Sequence, residues 1–206
     1  MKVLLINGSP HEKGCTYTAL SLIAGELKAQ GIETEILHVG GQPVGGCIGC
    51  GGCRSGNGCV FGGVVNEAIE KAKTADAFVF GSPVHYASAA GNMASFMDRL
   101  AYAGGKYLAY KPAAICCSAR RAGTTTTLDQ LVKYPEFFHM PLVSGSYWPM
   151  VHGSKPEQVL EDEEGCAVMR ELGRNMAWLL KCIELGKANG ITHPENPRRP
   201  MTNFIR

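Results

Sequence analysis

The sequence has no long hydrophobic run, no marked excess of one charge and no internal repeat. Nowhere do 18 apolar residues follow one another, so no membrane-spanning helix is expected. The short apolar start, Val3 to Ile6, stops at Asn7-Gly8-Ser9-Pro10 and is too brief for the core of a signal peptide. Lys and Arg number 20 against 18 Asp and Glu, a net charge of +2. So balanced a chain offers no electrostatic footprint for nucleic acid or for an anionic membrane surface. Low-complexity tracts are missing, and the 26 glycines follow no Gly-X-Y period, which excludes a collagen-like rod. With 45% hydrophobic and 18% charged residues, wholesale disorder is excluded too. What is present in excess is cysteine, nine in 206 residues. An odd count in a chain long enough to bury its own core argues against a disulfide-stapled secreted scaffold. The expectation is a soluble, cytoplasmic, reduced protein.

Apolar, β-branched runs alternate with helical patterns. Strands are expected over residues 3–7, 33–39, 76–81, 112–117 and 141–145, and helices over 16–30, 64–74, 89–103, 125–138 and 156–186. Strand–helix alternation of this kind builds a parallel sheet covered on both faces. The predicted fold is therefore α/β: a doubly wound, flavodoxin-like sheet of five parallel strands in the order 2-1-3-4-5, in three α/β/α layers. One domain, residues 1–190, is expected to carry a cysteine-rich loop at 43–61. Residues 191–206, with three prolines, read as an extended arm whose Phe204 and Ile205 pack on a neighbouring chain. In such sheets ligands sit outside the carboxyl ends of the strands.

Three loops fall there. The first, from Asn7 to Thr18, follows a strand and opens a helix. It is neither a Walker loop nor Gly-x-Gly-x-x-Gly. Its backbone N–H groups and the hydroxyls of Ser9, Thr16 and Thr18 still suit an anion at a helix start; the plain alternative is a Thr-capped turn. The second, Gly81 to Gly91, has a stiffening Pro83 and apolar or aromatic surface from Val84 and Tyr86, a wall for a flat heteroaromatic ring. His85 reads equally as an acid–base group or as a positioning residue. In the third, Ser118-Ala119-Arg120-Arg121-Ala122-Gly123, hydroxyl and backbone groups suit a ring edge. Arg120 and Arg121 either attract an anionic ligand or stand in water.

Between the second strand and the second helix, Cys47, Cys50, Cys53 and Cys59 are spaced C-x2-C-x2-C-x5-C among glycines. Four thiols on so short a Gly-rich loop can wrap a 4Fe-4S cluster. A zinc site, a redox thiol pair or a loop without a metal are the alternatives. Cys116, Cys117, Cys166 and Cys182 are expected as small core or semi-buried residues. Cys15, at a helix start, is a thiol whose pKa such a position can lower.

Taken together, Gly8-Ser9-Pro10, Gly81-Ser82-Pro83-Val84-His85-Tyr86 and the segment from Ser118 to Gly123 resemble the NADPH-dependent FMN reductase family over essentially the whole chain. The cysteine motif is similar to that of its iron–sulfur flavoprotein branch. The resemblance implies FMN, with its phosphate on Ser9, Pro10 and the helix start Cys15, Thr16, Tyr17 and Thr18. Its ring would lie on Pro83, Val84, His85 and Tyr86 and on Ser118, Ala119, Arg120, Arg121 and Gly123. It implies a 4Fe-4S cluster on the four loop cysteines beside the flavin. Cys15 departs from the Asn or Ser common in the family, which leaves its N–H rather than its side chain for the phosphate. The activity implied is that of an FMN-dependent oxidoreductase. Its donor would be NAD(P)H or a ferredoxin-like carrier, its acceptor a quinone, a flavin or oxygen, and its assembly a homodimer or homotetramer. No side chain is assigned a catalytic role, because the flavin carries the chemistry. The rival expectations are an electron carrier without turnover and a zinc-stabilised binding module without flavin.

Overall fold

The first apolar run forms β1 (Lys2–Asn7), with Val3 to Ile6 at most 1% exposed. A strand buried on both faces must be apolar throughout, and only a parallel sheet covered by helices offers that environment. β2 (Glu33–His38) and β3 (Ala77–His85) flank it in parallel, pairing Leu5 with Ile36 and with Val79. β5 (Ala113–Ala119) lies outside β3, and β6 (Met150–His152) closes the edge, giving the order β2-β1-β3-β5-β6. This is the expected 2-1-3-4-5 sheet, with the short β4 (Ser88–Ala89) folded back on β3. The computed structural model describes residues 1–196 and residue 202. The expectation for Phe204 and Ile205 therefore lies outside the described residues.

Alternate strand residues feed two cores. Leu4, Ile6, Phe78, Phe80 and Ile115 face α2 (Val64–Thr74), α3 (Gly91–Gly104) and α4 (Thr124–Phe137), which contribute Val65, Ile69, Met93, Phe96, Leu100, Leu128 and Leu131. Val3, Leu5, Val79, Ala114 and Cys116 face α1 (Cys15–Ala29) and α6 (Glu163–Ala188). There Leu20, Ile23, Leu27, Met169, Leu172 and Met176 fill the opposite layer.

Four expectations are corrected. β3 runs on to His85 and turns back through Tyr86 and Ala87, at φ +51° and +57°, so that Val84 pairs with Ala89. Two successive left-handed residues match the twist of a tight hairpin. No strand spans 141–145: Leu142 makes one bridge to Ala113, and regular pairing resumes only where Met150 meets Cys117. Four steps along β5 (113 to 117) thus face eight along the edge (142 to 150). The surplus bulges outward, held by Ser146, whose N–H and hydroxyl donate to Glu171 at 2.8 and 2.7 Å. The helix expected over 156–186 is two, α5 (Pro156–Glu161) and α6, broken at Asp162, whose carboxylate accepts from the N–H of Gly165 at 2.9 Å. The break leaves Leu160 56% exposed. Cys182 is also exposed, unlike the buried Cys116, Cys117 and Cys166.

Candidate functional site

The ends of β1, β3 and β5 converge, and hydrogen bonds tie their loops together. Asn7, fully buried, accepts from the N–H of Ser9 at 3.1 Å and donates to the Glu12 carbonyl at 2.9 Å. The Ser9 hydroxyl accepts from the His11 N–H, and the Gly8 N–H donates to the Gly81 carbonyl at 2.9 Å. A side chain at Gly8 would lie within 2.8 Å of Met93, so only glycine lets the strand end pack on α3. Pro10 is exposed at the loop's rim. α1 begins after Gly14 with no side-chain cap, leaving its first N–H groups and the positive end of its dipole to a ligand or water.

The hydroxyls are more committed than expected. Thr16 and Ser118, at 1% and 4% exposure, bond each other at 2.8 Å and so lock the first loop to the third. Thr18 donates to the Gly14 carbonyl at 3.3 Å, within its own turn. The Cys15 thiol points to the Gly153 carbonyl, 3.5 Å away. Burial pushes that thiol above the ordinary cysteine range despite its place at a helix start. Tyr17 is half-buried.

Pro83 and Val84 are half-buried, while His85 and Tyr86 are exposed at the hairpin tip. α4 fastens that hairpin through Gln130, which accepts from the Ser88 hydroxyl at 2.7 Å and the Ala89 N–H at 2.9 Å. Thr126 donates to the Ala87 carbonyl at 2.7 Å. Gly123, at φ +88°, lies so close that an added Cβ would stand 2.6 Å from the Ala87 Cα. Second and third loops are therefore one unit. Ala119 is buried, whereas Arg120 and Arg121 are exposed, with no carboxylate partner among the described residues.

The cysteine loop lies beside α3. Cys47, Cys50, Cys53 and Cys59 all line one cavity of about 330 Å³, with Val60, Phe61 and Arg99. Cys47 and Cys50 are exposed and the other two half-buried. Among the described residues no three His, Cys, Asp or Glu side chains are grouped closely enough to hold a metal ion. The thiols thus share a wall without closing on a common centre. An all-thiol donor set fits a soft, sulfur-ligated group and not an oxygen-seeking cation.

Sequence reasoning missed the residues that hold this loop. Asn92 donates to the carbonyls of Gly40 and Gln42 and accepts from the Val44 N–H. Asn66 exchanges two bonds with the backbone of Cys59, at 2.8 and 3.0 Å. Arg99 reaches the Cys59 sulfur and two loop carbonyls. One signal existed: Asn92 and Arg99, seven residues apart, fall on the same side of α3 beside its apolar stripe. A further cavity, about 510 Å³, lies elsewhere, between α4, Ile115 and the bulge bearing Tyr147 and Trp148.

The sequence model of the NADPH-dependent FMN reductase family matches residues 1–155. An iron-sulfur flavoprotein of Methanocaldococcus jannaschii is 30% identical over 193 residues, covering 89% of this chain and 100% of that protein. One from Archaeoglobus fulgidus is 31% identical over 196 residues, covering 91% and 96%. Among solved structures, an archaeal flavodoxin superposes with a TM-score of 0.60 at 14% identity, covering 88% of this chain and 99% of its own.

Proposed function

The chain belongs to the NADPH-dependent FMN reductase family, and from that we propose that it is an FMN-dependent oxidoreductase carrying a second, sulfur-ligated redox centre on its cysteine loop. FMN would supply reversible two-electron and one-electron chemistry at its ring. The chain's own residues bind and orient. Ser9, Pro10 and the uncapped N–H groups of Cys15, Thr16 and Tyr17 would hold the phosphate, with Thr18, whose N–H closes the first turn on the Gly14 carbonyl, beside it. Pro83, Val84, His85, Tyr86, Ser118, Ala119, Arg120, Arg121 and Gly123 would frame the ring. Cys47, Cys50, Cys53 and Cys59 would hold a 4Fe-4S cluster, a reading favoured by the relatives named iron-sulfur flavoproteins. NAD(P)H or a ferredoxin-like carrier would be the donor, and a quinone, a flavin or oxygen the acceptor.

The single observation that carries the reading is the lock between Thr16 and Ser118, at 2.8 Å. It joins the helix start to the third loop, and Gly123 and Thr126 join that loop to the hairpin. A preorganised frame of this kind suits a ligand that spans all three loops. No described helix is long and apolar enough to cross a membrane. A homodimer or homotetramer belongs to the same proposal and is read by light scattering. The test of function is FMN per chain, followed by anaerobic addition of NADPH. Near one FMN per chain, bleached within seconds, is expected. FMN that stays oxidised under NADPH but is reduced by ferredoxin would favour a carrier. Colourless protein holding zinc would overturn the reading.

A further inference from the structure

Arg99 is a charge buried in an unusual place. It sits on α3 at 6% exposure and pairs with no carboxylate among the described residues. All three guanidinium nitrogens donate. Nε donates to the Cys59 sulfur at 3.3 Å, one Nη to the Gly45 carbonyl at 3.3 Å and the other to the Gly62 carbonyl at 3.0 Å. Its Cζ stands over the Phe61 ring, 5.6 Å from the ring centroid. These contacts take hold of both ends of the cysteine loop and of one of its four sulfurs. Gly45 precedes Cys47, Gly62 follows Cys59, and Arg99 lines the same cavity as all four thiols.

A guanidinium does not lose its proton, and an unpaired buried charge is costly. Two carbonyls and a ring face supply dipoles but no opposite charge. The cavity it lines therefore carries a positive charge on the α3 side and is lined by the four thiols elsewhere, an arrangement suited to a group of net negative charge. Thiolates bound to iron and sulfide make such a group, and the potential of a cluster responds to its surrounding charge and to hydrogen bonds at its sulfurs.

We infer that Arg99 is the positioning residue and fixed counter-charge of the cysteine cavity: it clamps the loop across Gly45, Cys59 and Gly62 and raises the potential of the centre bound there. The inference rests on the cluster reading proposed above. It goes further, in assigning a residue outside the cysteine motif to the centre.

The test uses the full chain, reconstituted anaerobically with iron and sulfide. Wild type is compared with Arg99→Lys and Arg99→Gln. The readouts are iron, sulfide and FMN per chain, and the midpoint potential from a spectroelectrochemical titration. Expected is a several-fold loss of iron and sulfide in Arg99→Gln with FMN content kept, the remaining centre titrating at a more negative potential than wild type. Arg99→Lys keeps the charge but loses the fork, so it loads less iron than wild type while its potential stays close to it. Full iron and an unchanged potential in Arg99→Gln would overturn the inference while leaving the cluster reading intact. Equal iron loss in both variants with a wild-type potential would reduce Arg99 to a strap and remove its electrostatic role. Wild-type protein that takes up no iron and sulfide would sink the cluster reading itself, and this inference with it. Should Arg99→Gln fail to fold, judged by lost FMN, Arg99→Lys decides alone: full iron loading contradicts the clamp, and a clearly shifted potential contradicts the counter-charge.

Discussion

Two buried hydroxyls, Thr16 and Ser118, carry more of the site's geometry than their size suggests. Each satisfies the other, and no buried side-chain nitrogen or oxygen among the described residues lacks a partner. Removing one leaves the other orphaned, which costs about 1–3 kcal/mol, whereas removing both apolar-for-polar is nearly neutral. Thr16→Val is thus expected to lower stability by about that amount in urea unfolding. Adding Ser118→Ala should recover much of the loss, and a purely additive double variant would deny the coupling. At Gly123 the constraint is steric. Alanine there meets both a left-handed φ of +88° and the Ala87 backbone, so Gly123→Ala should cost about 1–3 kcal/mol and weaken FMN binding at least about tenfold (1.4 kcal/mol) in a fluorescence titration. The thiols divide at this scale as well. Burial pushes Cys117 up to about 12 and Cys116 higher still, so neither is a nucleophile near neutral pH. Alkylation of native protein should spare both while modifying Cys182.

At the scale of elements, one ion-pair network joins the sheet edge to α2. Glu35 accepts from Lys2 at 2.8 Å and from Lys71 at 2.5 Å, and these bonds hold its carboxyl below the ordinary glutamate range. A depressed carboxyl contributes stability above its unfolded pKa of about 4.3, and that contribution is lost as pH falls through the folded value. Lys2 and Lys71, raised by the same pairs, lose their share only in strong alkali. Glu35→Gln should therefore melt somewhat below wild type at pH 7, with the gap closing as the pH drops beneath about 4. A gap independent of pH would assign the effect to packing instead. What the sequence made legible at this scale follows from local physics. Val3 to Ile6, Ala77 to Phe80 and Ala113 to Cys117 are continuous apolar runs that only a covered parallel strand can bury. The edge was not legible. Pro141-Leu142-Val143 has strand character, yet Ser144-Gly145-Ser146 leaves the sheet because Glu171, 25 residues further on, holds Ser146. The hairpin at Tyr86-Ala87 has none of the Gly or Asn that announces such a turn; Gln130, 42 residues away from Ser88, sets it.

For the molecule as a whole, the sheet brings three loops to one rim, and α3 carries the cysteine loop alongside. The positions of the three rim loops could be read from the sequence because the fold fixes where strand ends lie. The clamp on the cysteine loop could not, since Arg99 and Cys59 are 40 residues apart and meet only through packing. The most direct measurement of the central claim is an anaerobic visible spectrum of the purified chain, with FMN, iron, sulfide and zinc counted on the same sample. The account predicts flavin bands near about 370 and 450 nm over a broad shoulder near about 400 nm. One FMN and about four irons per chain should accompany them, with the shoulder lost when Cys47, Cys50, Cys53 and Cys59 are replaced by serine and the flavin bands kept. A colourless chain with stoichiometric zinc and no flavin would contradict it.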